Sequence, residues 1–239
     1  MPVKNDTGIQ GKRPGPGKNR ITASIAGCLF YVLFMALLLF GSAGTPDWPM
    51  AWIFLAVSLA IFIAGIVLTD PDLTEERSRR HEDSRRWDRI LVSAIVLIGF
   101  IILIAAGLSR RFFGIDEVPF PVQVISLAIL VLGNVLVIRA TRANTFFSAT
   151  FRIQRDRGHM VVSTGPYRRV RHPGYAGMIL STFFQSLALG SFWALIPAII
   201  AVGLFVVRTH LEDKTLLEEL DGYRDYARQV PFRLVPGVW

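Results

Sequence analysis

Residues 90–108 read ILVSAIVLIGFIILIAAGL, an unbroken apolar run without a single charge. A helix needs about 20 such residues to cross roughly 30 Å of hydrocarbon, so this run reads as a transmembrane helix. Arginines bracket it, with Arg85, Arg86 and Arg89 before it and Arg110 and Arg111 after it. Three further blocks have the same character: Ile21–Gly41, Trp48–Leu68 and Phe120–Ile138. A fifth region, Tyr175–Val207, is long enough for a helical hairpin, with Leu189-Gly190-Ser191 as its turn. Composition agrees. Of 239 residues, 52% are hydrophobic and only 18% charged, and mean hydropathy is +0.45. The length alone would fit one or two soluble domains, but blocks of this kind leave little room for them. The expected fold is therefore an all-α integral membrane bundle of five to six helices.

The net charge is +8. A basic chain could bind nucleic acid, but here the charge lies between the spans and alternates. Lys and Arg number five up to Arg20, none between the first two spans, six in Thr69–Arg89 and two in Ser109–Pro119. Arg139–Pro173 carries eight, the hairpin tip none, and the tail from Arg208 five. High counts on every second loop are the positive-inside pattern, which puts both termini in the cytoplasm. The charge reports topology and affinity for anionic lipid, and nucleic acid is not an expected partner. The first apolar block is too long for a signal-peptide core, so it reads as a retained anchor. Cys28, the one cysteine, lies in that block, which excludes an intrachain disulfide and suits a small buried apolar residue.

Residues 1–20 are rich in Gly, Pro and Lys and read as a disordered basic tail. Residues 21–138 hold four spans, and 139–239 hold the chemistry, with the hairpin at 173–210 and a cytoplasmic tail. The loop at 69–88 contains His81-Glu82-Asp83, but a lone histidine is a weak metal signal and a solvated face explains it. No metal is expected.

The unusual segment is 139–177, ending GPYRRVRHPGYAG. Residues 151–165 alternate apolar and polar types and are compatible with a short hairpin or extended segment. Gly165-Pro166 signals a turn. His172 precedes Pro173 and is biased to extended backbone, while Pro173 suits the first turn of a helix. His172 therefore sits at a helix mouth, whose free N–H groups favour a carboxylate or a ribose oxygen. On the last helix Arg208 and Glu212 are four residues apart and share a face. An arginine can grip a carboxylate with two parallel bonds.

Each feature also has a plainer reading. Arg208 and Glu212 could be a surface ion pair, and His172 could bond only a loop carbonyl. Arg168, Arg169 and Arg171 suit lipid headgroups. Tyr223 and Tyr226 suit packing at the interface, His210 faces away, and Asn144 could cap a helix or close a pocket.

Two linked blocks decide between these readings. The first is Asn144-Thr145-Phe146-Phe147-Ser148, then Gln154, Gly158-His159, Gly165-Pro166-Tyr167 and Arg171-His172-Pro173-Gly174-Tyr175. The second is Arg208, Glu212, Tyr223, Tyr226 and Arg233-Leu234-Val235-Pro236. Together, over residues 139–239, they resemble the isoprenylcysteine carboxyl methyltransferase family. Asp213 stands where that family usually has glutamate. The resemblance implies methyl transfer from S-adenosyl-L-methionine to a lipidic or prenylated carboxylic acid. It implies cofactor contacts from Gln154, His159, Met160, Val161, Val162, Tyr167, His172, Pro173, Gly174, Tyr175 and Glu212. It places Arg208 on the substrate side and makes Arg208 and Glu212 the catalytic pair. Either block alone is shared with phospholipid methyltransferases and some membrane reductases. An amine N-methyltransferase, an NADPH-dependent reductase and a lipid-binding membrane protein without catalysis therefore stay open as alternatives. Nothing reads as a helix-dimer motif.

Overall fold

The computed structural model describes residues 18–69, 73, 84–113 and 117–239. The readings of residues 1–17 and of His81 lie outside these residues. Among the described residues, seven α-helices follow in chain order: α1 Lys18–Ala43, α2 Pro49–Leu68, α3 Arg86–Phe113, α4 Phe120–Ala143, α5 Pro173–Ala188, α6 Leu195–Glu219 and the short α7 Tyr223–Gln229. Helices α2, α3, α4 and α6 are long and apolar enough to cross a membrane, and α1 contributes a shorter apolar stretch, Gly27–Ala43. The chain is an all-α integral membrane protein, as its sequence indicates.

Local sequence sets the boundaries. Prolines occupy the first turns of α2, α4 and α5, where a missing N–H costs nothing. Helix α3 extends past its apolar run at both ends, with Asp88 in its first turn and Arg110 and Arg111 in its last. Those signs match the helix dipole. The turn after α5 needs Gly190 at φ 77°, and the break after α6 needs Gly222 at φ 78°. Both lie in the left-handed region that glycine enters without a Cβ penalty.

In lipid the hydrophobic effect does not press helices together, so close backbone approach must. Helices α4 and α5 cross at Gly133 and Gly177. A Cβ on Gly177 would stand 2.4 Å from the Gly133 carbonyl oxygen, and a Cβ on Gly133 would stand 2.7 Å from that of Gly177. Helices α1 and α3 meet similarly at Gly107, where a Cβ would lie 2.6 Å from the Leu39 carbonyl oxygen. Around these crossings Leu39, Trp48, Phe54, Ile102 and Leu189 are almost wholly buried. Leu29, Phe30, Leu33, Val67 and Leu132 point outward, as lipid-facing residues do. Cys28 is half-buried rather than buried.

The helices run up and down, which gives the bundle two distinct ends. At one end the loop before α4 meets the hairpin tip, where Glu117 N–H donates to the Gly190 carbonyl at 2.9 Å. The other end collects the start of α3, the end of α4, the start of α5 and the end of α6. The connector 144–172 lies there. It contains two 3-10 turns, Arg155–Arg157 and Gly165–Arg168. No strand occurs in it, so its alternating pattern reflects packing against the helix ends and not strand pairing.

Candidate functional site

At that second end a cavity of about 710 Å³, counting its open mouth, lies between the connector, α5, α6 and α7. Its floor is the mouth of α5. Pro173 starts the helix, and His172 immediately before it has φ −125° and ψ 59°. Gly174 allows Phe147 to lie against the helix: a Cβ there would stand 2.5 Å from the ring. Tyr175 donates its hydroxyl to Glu212 Oε2 at 2.5 Å, and its ring lies 5.0 Å from the Arg208 guanidinium carbon. It also stacks on His172 at 5.8 Å.

Two buried ionic clusters hold this floor. In the first, Asp213 of α6 is completely buried. It accepts from Arg171 Nε at 2.7 Å and Nη2 at 2.9 Å, from the Tyr223 hydroxyl at 2.9 Å and from Arg233 Nε at 2.8 Å. His172 Nε2 lies 3.2 Å from the same carboxylate. A carboxylate of this kind only accepts, so Nε2 carries the proton, and His172 Nδ1 faces Glu212 at 3.7 Å. Arg171 also donates through Nη1 to the carbonyls of Val230 and Pro231 at 2.8 and 2.7 Å. The chain after α7 is tied to the helix mouth by Arg171 N–H to Phe232 O and His172 N–H to Arg233 O, both 2.9 Å. Arg233 in turn lies 5.0 Å over the Trp239 ring.

The second cluster is centred on Asp88, which is also completely buried. It accepts from Arg208 Nε at 2.7 Å and Nη2 at 3.2 Å and from the Phe151 N–H at 2.6 Å. Arg208 Nη2 also donates to the Ala149 carbonyl at 3.1 Å. Buried charges need partners of this quality, because desolvation alone costs several kcal/mol per ion.

The connector supplies the remaining walls. Gln154 is completely buried and donates to the Phe146 carbonyl at 2.8 Å, while its side-chain oxygen accepts from Arg157. Its backbone N–H meets His159 Nδ1 at 3.2 Å, and the His159 ring stacks on Phe146 at 4.5 Å. Burial, with Arg152 and Arg157 nearby, pulls the His159 imidazole from 6.5 down to about 4. It is therefore neutral near pH 7. Asn144 both ends α4 and donates to the Tyr167 hydroxyl at 3.3 Å. Tyr226 donates to the Tyr167 carbonyl at 2.8 Å. Burial raises the Tyr167 and Tyr223 phenols well above their usual range, so both keep their protons.

The cavity thus brings together His159, Met160, Val161 and Val162 with Tyr167, His172, Gly174 and Tyr175, and with Arg208 and Glu212. Gln154 and Pro173 do not line it. The first braces the connector and the second starts α5. Arg171 departs from its reading as a headgroup contact, being buried in the Asp213 cluster, whereas Arg168 and Arg169 are exposed. The two-bond grip expected of Arg208 is also altered, because its Nε–Nη2 edge is already taken by Asp88. Sequence reasoning missed Asp88 and the central place of Asp213. The available signal was a carboxylate in the first turn of a membrane helix, since charges at such depth are costly and usually paired.

Residues 124–218 match the model of the isoprenylcysteine carboxyl methyltransferase (ICMT) family. A protein-S-isoprenylcysteine O-methyltransferase of Schizosaccharomyces pombe (strain 972 / ATCC 24843) is 30% identical over 112 residues, which cover 46% of this chain and 48% of that protein. The chain thus aligns with about half the length of that relative. The family resemblance read from the sequence is borne out over this region. The match includes every cavity residue from Asn144 to Leu216, and only Leu220, Tyr223 and Tyr226 lie beyond it.

Proposed function

We propose that this chain is an S-adenosylmethionine-dependent membrane methyltransferase that esterifies the carboxylate of an isoprenylcysteine-like or other lipidic acid. One observation carries the reading. One cavity, lined mostly by the family-matched region, sets Arg208 and Glu212 one helical turn apart against the helix mouth at His172–Tyr175.

The lining suits the cofactor. Glu212 offers a carboxylate that no Lys or Arg among the described residues bonds, held by the Tyr175 hydroxyl with His172 Nδ1 at 3.7 Å, and ready for an ammonium or sulfonium charge. Phe146, Phe151 and Tyr175 offer aromatic faces for a purine. His159–Val162, Tyr167, His172, Gly174 and Tyr175 would contact the cofactor, with Gln154 and Pro173 supporting them from behind. S-adenosylmethionine, when bound, supplies an activated methyl group that an ionised carboxylate can accept. The reference pKa of such a carboxylate is near 4.

The chain must then orient the acceptor and exclude water. Arg208 holds the acceptor carboxylate, and Glu212 balances the positive charge opposite. The neutral His159 and the protonated Tyr167 and Tyr223 add polar contacts without adding charge. The arginine-rich connector supports a cytoplasmic site and cytoplasmic termini, and the lipidic acceptor would arrive from the bilayer between helices.

The test is calorimetric titration of the detergent-purified protein with S-adenosylhomocysteine, beside NADPH, for wild type and Glu212→Ala. Micromolar binding of S-adenosylhomocysteine, weakened about tenfold or ~1.4 kcal/mol by the substitution, is the expected result. Binding of NADPH alone would sink the reading. Phosphatidylethanolamine methylated in preference to a prenylcysteine would move the acceptor from acid to amine.

A further inference from the structure

Arg208 carries two Nη nitrogens and Nε, and their engagement is uneven. Asp88 takes Nε and Nη2 at 2.7 and 3.2 Å, and the Ala149 carbonyl takes Nη2 again at 3.1 Å. Among the described residues, Nη1 has no hydrogen-bond partner, although the side chain is 7% exposed and lines the cavity. The Tyr175 ring covers the guanidinium plane at 5.0 Å. So the arginine is clamped along one edge, shielded on a face, and offers one nitrogen. Asp88 comes from α3, outside the family-matched region. Its other bond, from the Phe151 N–H at 2.6 Å, fixes the connector segment that carries Ala149.

We propose that Asp88 is a positioning residue that confines Arg208 to a single-nitrogen grip on the acceptor carboxylate and shares its charge. This rests on the carboxyl-methylation reading above. A guanidinium free to use its fork would engage both acceptor oxygens. The acid would bind tightly, but both oxygens would then carry a charge-assisted hydrogen bond, which draws electron density from the lone pairs left to attack. Clamped by Asp88, Arg208 engages one oxygen and leaves the other with its lone pairs toward the methyl donor. The buried Asp88 carboxylate also offsets the arginine's charge, so the acid is held less strongly than an unpaired guanidinium would hold it. Asp88 touches neither substrate nor cofactor and acts through Arg208.

The test uses full-length protein, S-adenosylhomocysteine, N-acetyl-S-farnesylcysteine as acceptor and its methyl ester as the product stand-in. Asp88→Asn frees the guanidinium to turn. S-adenosylhomocysteine affinity is expected to stay within about threefold of wild type, kcat to fall about tenfold or more, and KM for the acid to hold or fall. The acid-over-ester affinity ratio rises, which a merely structural role would not cause. Asp88→Glu keeps the charge, so it retains most of kcat and leaves the ratio unmoved.

Asp88→Asn with wild-type kcat would overturn the proposal. So would parallel losses of kcat and S-adenosylhomocysteine binding, or an Asp88→Glu variant whose ratio rises. If the wild type bound S-adenosylhomocysteine but methylated no acid, the parent reading would fall by itself. The affinity ratio needs no turnover and would still decide: a rise in Asp88→Asn supports the clamp, and an unchanged ratio overturns it.

Discussion

Replacing Asp213 with alanine removes one carboxylate and strands four partners. Its two oxygens accept from Arg171 twice, from Tyr223 and from Arg233, with His172 at 3.2 Å. Removing one partner of a buried ion pair costs about 3–5 kcal/mol, because the other charge stays buried. The details place this case near the lower end. Arg171 keeps two carbonyls on Nη1 at 2.8 and 2.7 Å, and Arg233, whose side chain is 25% exposed, can turn to water. A loss of about 3 kcal/mol would still be a large share of the 5–15 kcal/mol typical of a folded domain. His172 loses the acceptor that fixes its ring, so cofactor affinity should fall together with stability. Thermal melting in detergent, followed by tryptophan fluorescence, reads the first effect, and S-adenosylhomocysteine titration reads the second. A double variant, Asp213→Leu with Arg171→Met, separates charge from packing. It should recover much of the melting temperature, because no charge is then left unpaired, while the loss of binding persists. An Asp213→Ala protein that melts and binds like wild type would refute the cluster as the keystone of the helix mouth.

Three other results follow from the glycine contacts and from the burial of His159. Gly177→Ala places a methyl 2.4 Å from the Gly133 carbonyl oxygen and should cost about 1–3 kcal/mol through forced separation of α4 and α5. Gly203→Ala, with nothing within 4 Å, should leave the melting temperature unchanged. His159 has a folded pKa of about 4 against an ordinary 6.5, so between those values the unfolded chain binds more protons. Its contribution is fully present above about pH 6.5 and is lost as pH falls toward 4. His159→Gln should flatten the acid-side fall in melting temperature over that window and leave it unaltered near pH 8.

Much of this protein could be read from its chain because lipid allows few solutions. Uncharged runs such as Ile90–Leu108 have to be helices, and Pro173 and Gly190 mark where the hairpin starts and turns. The shared face of Arg208 and Glu212 was also legible, since residues four apart stand one above the other on a helix. Pairing across long separations was not. Asp88 and Arg208 are 120 residues apart, and no local period links them. Gln154 misled for a related reason: a buried amide that braces a loop and one that lines a pocket look alike in sequence. Arg171 shows the same limit, since only its neighbour on α6 makes it a buried pair instead of one more loop arginine.

The strap after α7 has a consequence for biogenesis. Phe232 and Arg233 bond the backbone at the mouth of α5, yet they leave the ribosome after the whole of α6 has been handed to the translocation machinery. The bundle can therefore be inserted and packed while its cavity is still unfinished, and the cavity is complete only once residues 230–239 dock.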